Sequence, residues 1–368
     1  MFAITRAQAK QFRSVLRHTL LTLEPSGEWP LLVVKSAPGR TTLYAQKNDM
    51  TVQWCLPGTG ALGDMAFRSS VLASVEGTAS TTVTFLRRNK TQAVATWDQR
   101  KGKQSFDFAL VSHHSIPPFP SLPKKWVPTR PEFLSALATV SSVTTANNSR
   151  YELSRIQLQG RFGQVAATDG RQMHIHRGFH LPWKDDLLIP SASVFGKSNL
   201  IPHVEGNLGK TKTHVVLQSG QWTLAFAVDT TSRFPDVIPV IPHANVFTTR
   251  LDLDGRDVEK VRENILHNSG NARCTQILLR LGKPVSVDAE SLPRFELHHS
   301  NVRGKPMTVT FESSYLVRAL DMGFREFRFT QAPKNLVVCQ DRQRLYLWVA
   351  LEPKPLVSPN PRHLATTA

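Results

Sequence analysis

One pattern recurs three times along this chain: an amphipathic helix, alternating strands, a short second helix and further strands. A chain patterned this way folds as repeated α+β units, because each helix buries its apolar stripe on the strands that follow it. A chain of unrelated α+β domains is the other architecture the pattern allows. The first helices are expected from Thr5 to Leu23, from Pro131 to Val143 and from Gly255 to His267. In the second, Thr129-Arg130-Pro131-Glu132 reads as a capping box with proline in the first turn. In the third, Val258, Val261, Ile265 and Leu266 form the apolar face. The shorter helices are expected to begin near Arg68, near Ser191 and at Ser313, each followed by strands such as 81–86, 214–217 and 335–338.

With 368 residues the chain has room for about two to three domains. Proline concentrates in 116–123 and 239–245, which divides it into 1–125, 126–243 and 244–353. The segment 354–368, with three prolines and few large apolar residues, is expected to be a disordered tail. No stretch approaches the ~18 apolar residues of a membrane span. The N-terminus meets Arg6 too soon for a secretory signal. Cys55, Cys274 and Cys339 are far apart and odd in number, so neither a disulfide framework nor a CxxC zinc site is indicated. These features predict a cytoplasmic protein.

The formal net charge is +17, and +9 of it lies in residues 1–125. Such an excess favours polyanions, nucleic acid or anionic membrane headgroups, through counterion release. In the first helix Arg6, Lys10, Arg13 and Arg17 share one face, while Ala9, Phe12, Leu16, Leu20 and Leu23 share another. A cationic stripe of this kind is a solvated face, a membrane-surface helix or a polyanion contact.

Several motifs fail on spacing. Gly206-Asn207-Leu208-Gly209-Lys210-Thr211 lacks the first P-loop glycine, Val204 standing there, and precedes a strand rather than a helix; a hairpin turn fits better. His174 and His176 alternate on one strand face with no identifiable third ligand, so no metal is expected. Asp185-Asp186 reads as turn chemistry, and no nucleophilic triad is recognisable. Neither a cofactor nor an enzymatic activity is expected.

Ala167-Thr168-Asp169-Gly170-Arg171-Gln172-Met173 places a Thr-Asp-Gly turn between two strands, where glycine supplies the positive φ. With Arg233-Phe234-Pro235-Asp236, Thr310 to Leu316 and Tyr346 to Leu351, in this order, it resembles the bacterial DNA polymerase III beta subunit, the sliding clamp. The resemblance covers roughly residues 1 to 353 and describes a diverged, unusually basic member. It implies three similar clamp-type α+β domains in an arc, with helices inside and antiparallel sheets outside. Two chains would close into a ring. The implied function is a homodimeric ring around double-stranded DNA that tethers a polymerase for processive replication. The implied partners are the polymerase III catalytic subunit, other clamp-binding peptides and a separate clamp loader, with no membrane partner. A static DNA-binding accessory or regulatory factor built on the same fold is the alternative. An enzyme acting on nucleic acid has only the basic charge behind it.

The same resemblance turns Arg6, Lys10, Arg13 and Arg17 toward the pore, joined by Lys197 and Arg318 from the short helices. It places Arg150 and Tyr151 near duplex DNA, with Glu152 departing from an aromatic residue. It implies a partner-peptide pocket of Leu153, Thr168, Gly170, Met173, Pro235, Val240, Tyr315, Leu347, Val349 and Leu351. Arg171, Gln172, Pro239 and Glu312 depart from the usual residues there, which points to a different peptide preference. For the dimer joint it implies the edge strand 105–110, with Phe106, Phe108 and Leu110 as its apolar face behind Arg100, Lys101 and Lys103. That strand would meet a region of the partner bearing Asp288, Glu290 and Glu296.

Overall fold

The structure, a computed structural model, describes residues 1–58, 63–100, 102–112, 116–144, 151–268, 276–289, 292–331 and 335–351. Lys101, Arg150, Glu290 and the tail 354–368 lie outside the described residues, as do the side chains of Tyr151 and Glu152. The chain forms two compact units. One takes Met1–Asp169 and Ile175–Pro235; the other takes Gly170–His174 and the chain from Asp236 onward.

The first unit opens with strand Phe2–Thr5, which runs directly into helix α1 (Arg6–Leu20). Thr5 caps it: its hydroxyl accepts from the Gln8 amide at 3.1 Å while the Gln8 side chain accepts from the Thr5 amide at 2.8 Å. Such a reciprocal cap is worth about 1 kcal/mol. Ala9, Phe12, Val15, Leu16 and Leu20 are buried, as the apolar stripe requires. Phe12 stacks on Trp54 and Trp222, which stack on each other at 4.7 Å. Those two tryptophans mark where strand Met50–Gly58 pairs with Trp222–Ala227. The pairing produces one eight-stranded sheet, ordered 63–68, 31–37, 39–47, 50–58, 222–227, 214–219, 206–210, 126–129. It draws on residues from both sides of the proline-rich 116–123 segment. The P-loop-like segment is strand Gly206–Lys210, which hairpins into His214–Ser219.

A second sheet of this unit has the order Phe2–Thr5, Thr82–Arg87, Gln92–Gln99, Gly102–Ala109, with the last strand at an edge. The short helix α2 (Leu72–Val75) packs beside α1. Helix α3 (Pro131–Ser141) starts with proline at its first position, but its N-cap is Arg130 with no side-chain cap. Thr129 is instead the last residue of strand Trp126–Thr129, paired with Gly206, so the capping box expected there does not form.

In the second unit, strand Arg344–Val349 runs beside the start of strand Gln172–Arg177 and is followed in order by 336–340, 326–330, 247–252 and 301–304. A separate four-stranded sheet is ordered 292–297, 285–289, 276–281, 307–312. Helix α4 (Gly255–Asn268) buries Val258, Val261 and Ile265, and helix α5 (Ser313–Asp321) buries Tyr315, Leu316, Ala319 and Leu320. Trp348 is fully buried, with Phe311 at 5.5 Å and Tyr346 at 5.2 Å. Among the described residues no helix is long and apolar enough to cross a membrane.

Candidate nucleic-acid interface and peptide cavity

The cationic stripe of α1 is present and divides into two kinds of residue. Lys10 and Arg17 are exposed. Arg6 and Arg13 are half-buried and spoken for. The Arg6 guanidinium donates to the carbonyls of Val75 (3.1 Å) and Glu76 (2.8 Å) and lies over Trp97. Arg13 pairs with the Glu76 carboxylate at 2.6 Å and lies over Trp29 at 4.9 Å. Arg17 also lies over Trp29, at 5.7 Å. Two of the four stripe cations thus tie α1 to the end of α2. Trp29 was not singled out in the sequence, because no periodicity links it to the helix.

Lys197 is exposed just past the single-turn helix Ser193–Gly196, which packs against α1. The His18 imidazole bonds Ser193 Oγ at 3.0 Å. Burial, and then the nearby positive charges of Lys197 and Arg17, hold His18 below its ordinary value. Lys10, Arg17 and Lys197 thus give the first unit exposed cations on two adjoining elements, suited to diffuse phosphate contacts rather than base reading. Tyr151 opens the single-turn helix Tyr151–Ser154.

Arg318 belongs to the second unit and is half-buried. Its guanidinium donates to Gln172 Oε1 at 2.5 Å and to the Tyr346 hydroxyl at 3.4 Å, and Tyr346 itself donates to the same Gln172 oxygen. Burial pushes the Tyr346 hydroxyl far up, against the opposing pull of Arg318, so it stays a donor. Half-buried Arg318 is thus tied by these bonds to the buried side chains of Gln172 and Tyr346.

The second unit contains a cavity of about 550 Å³ lined by Gly170, Arg171, Gln276, Glu312, Tyr315, Val349 and Leu351. That volume is in the usual range for ligand clefts. Gly170 has φ of +89°, as the turn requires. The Val349 amide donates to the Arg171 carbonyl at 2.9 Å, and the Leu351 amide to the Thr310 carbonyl at 2.6 Å, so both apolar residues are fixed by backbone bonds. The two residues are 44% and 41% exposed. Arg171 pairs with Glu312 at 3.5 Å, and Glu312 faces Gln276 in the strand ladder.

Four of the ten predicted pocket residues, Gly170, Tyr315, Val349 and Leu351, line this cavity. Met173 and Leu347 are buried in the same unit, and Val240 is exposed there. Leu153 and Thr168 are buried in the first unit, and Pro235 is exposed at its end. Gln276 was missed; its place is set by the pairing of Gln276–Leu281 with Met307–Glu312, which leaves no local signal.

The predicted joint is corrected in its chemistry. Strand Gly102–Ala109 is an edge strand, as expected, but its apolar face is not open. Phe108 meets Phe67 at 4.9 Å and Phe85 at 6.0 Å, Leu110 is buried, and Phe106 packs on the same core. Asp288 is buried and held by Arg280 at 2.8 Å and Arg294 at 3.8 Å, so its charge is spent internally. Glu296, on the edge strand Leu292–Leu297, is half-buried with His298 at 3.8 Å.

No family model matches the chain, and no curated protein sequence matches it. Solved structures do. The beta subunit of DNA polymerase III from Borrelia burgdorferi, solved with a natural product, matches with a TM-score of 0.76 at 10% identity, over 96% of this chain and 98% of that one. A DNA polymerase III sliding clamp from Pseudomonas aeruginosa bound to griselimycin matches at 0.72 and 14%, over 95% and 98%. The beta chain from Streptococcus pneumoniae matches at 0.71 and 14%, over 96% and 99%. The chain therefore has, along nearly its whole length, the fold of DNA polymerase III beta-subunit sliding clamps.

Proposed function

We propose that this protein is a sliding clamp of the cytoplasm: a non-catalytic homodimeric ring of three clamp domains per chain, 1–125, 126–243 and 244–353. It encircles duplex DNA and tethers a DNA polymerase. The observation that carries the reading is the fold likeness over the whole chain rather than over one domain. The exposed cations of the first unit and a charge of +17 suit a sequence-independent phosphate partner. Processivity would come from the high effective concentration of a tethered enzyme. With no recognisable nucleotide-binding motif in the sequence, opening the ring falls to a separate loader. The cavity of the second unit receives the apolar tail of the tethered polymerase and of other clamp-binding proteins.

The test is retention on DNA of two topologies. A loaded clamp stays on a closed circle at high salt and runs off once the circle is cut. Equal retention on both forms, with a steep salt dependence, would instead establish the static DNA-binding factor, a reading favoured by the net +9 of residues 1–125. For the cavity, Tyr315→Ala or Leu351→Ala is expected to weaken a polymerase-tail peptide by about 1–2 kcal/mol or more. Unchanged titration curves for both variants would remove the cavity from the reading.

A further inference from the structure

The joint between α1 and the segment 193–200 is polar, and it holds a titratable group, His18, beside the exposed cations of the first unit. Gln11 and His18 share one face of α1. The Gln11 amide donates to the Leu200 carbonyl at 3.1 Å, and His18 Nδ1 meets Ser193 Oγ at 3.0 Å. The hydroxyls of Ser193 and Thr22 both donate to the His18 carbonyl, at 3.2 and 2.6 Å. With its one hydrogen spent there, Ser193 Oγ accepts from Nδ1–H, a pattern that assigns Nε2 as the basic nitrogen. Nε2 has no hydrogen-bond partner among the described residues. A proton added at Nε2 therefore breaks none of these bonds: the joint keeps its shape and gains a charge.

The charges that act on the ring are Lys197 across the joint and Arg17 on its own helix, both exposed. On the other elements packed against α1, Glu76 after α2 is paired with Arg13, and Lys47 of strand 39–47 with Glu24. Arg40 of that strand lies against Cys55 at 3.1 Å, and strands 2–5 and 50–58 bear no charged side chain. Burial and the two cations keep the free ring neutral near pH 7.

We propose that His18 is a further phosphate contact of this face, one that takes up a proton at Nε2 when a duplex binds, so that DNA affinity rises as pH falls. The proposal rests on the duplex-DNA reading and adds a residue to it. A phosphate seated among Lys10, Arg17 and Lys197 offsets the repulsion that disfavours the imidazolium and adds an attraction of its own. By linkage the bound value of His18 exceeds the free one. The gain in affinity is then absent above the bound value and complete below the free one.

A short linear duplex of mixed sequence, titrated into the full chain by fluorescence anisotropy at low salt, provides the test. From about pH 8 to about pH 5.5, wild-type affinity is expected to rise about two- to fivefold more than that of His18→Gln, the scale of one exposed ion pair. At the lower pH the wild-type salt slope should be steeper than the variant's by about 0.9. The other histidines titrate in both proteins and drop out of the comparison. The His18 ring signal in NMR, identified by its absence from His18→Gln, is expected to titrate at higher pH with the duplex than without it. Parallel pH dependence of the two proteins, or a ring value that the duplex leaves unchanged, would overturn the proton-linked contact while sparing DNA binding. Failure of the duplex to bind either protein, even at low salt, would overturn the contact together with the DNA reading.

Discussion

At the scale of single residues, the α1 stripe shows how one sequence pattern hides two physical roles. Arg6 gives two charged hydrogen bonds to carbonyls at the end of α2, whereas Lys10 is exposed. Arg6→Ala is therefore expected to cost about 2 kcal/mol in urea unfolding, and Lys10→Ala less than about 0.5. For duplex DNA the order reverses: Lys10→Ala should reduce the salt slope by about 0.9 per lost phosphate contact. Equal stability losses would show that the Arg6 contacts carry no weight. Asp229 offers a second residue-scale test. Burial alone would raise its carboxyl, but Ser232 and Thr231 donors, including both backbone amides and the Thr231 hydroxyl, outweigh it and hold the group well below the usual range. A depressed folded value means stability that is present above the unfolded value of about 3.9 and lost as pH falls through the folded one. Asp229→Asn keeps the acceptor and removes the charge. Its stability deficit should therefore be full near neutrality and shrink as pH drops below about 4. A pH-independent gap in urea midpoints would remove charge as the cause.

At the scale of elements, periodicity was a good guide wherever an element buries one face. Helices α1, α3 and α4 lie where the apolar spacing puts them, because that stripe has to meet a sheet. Periodicity is silent on what covers the face. The strand 102–109 has Phe106 and Phe108 on one side, and alternation alone could not distinguish a face turned to another chain from one turned to Phe67 and Phe85. The same limit hid the ladder joining Met50–Gly58 to Trp222–Ala227, a pairing of segments far apart in sequence. Thr129 shows a related failure: a cap-like tetrapeptide was outcompeted by strand pairing with Gly206. Within the candidate cavity, Gly170, Tyr315, Val349 and Leu351 were legible through the family resemblance, while Gln276 entered only through sheet register.

At the scale of the whole molecule, the proposed dimer has to be held by something other than the apolar face of strand Gly102–Ala109, since that face is already core. What the strand leaves open is its backbone edge. The Leu110 amide donates to the Thr91 carbonyl, and antiparallel ladders alternate. Phe108 and Phe106 thus direct their backbone groups to the neighbouring strand Gln92–Gln99, while Ser105, Asp107 and Ala109 direct theirs outward. Those three side chains are exposed, as expected for the face away from the core. The candidate complementary edge in the second unit is strand Leu292–Leu297, which among the described residues is paired on one side only. Joining these two edges between chains would satisfy both rows of backbone groups, with charge adding little because Asp288 is occupied. Asp107→Pro removes one outward donor and spares the ladder to Gln92–Gln99, as proline does on a strand edge. This variant is expected to remain folded, to run as a monomer in light scattering at sub-micromolar concentration, and to be lost from circular DNA. Asp107→Ala, which keeps the donor, should stay dimeric. Phe106→Asp is expected to cost stability first, since it buries a charge against the aromatic core. A dimeric Asp107→Pro protein would place the joint on another edge.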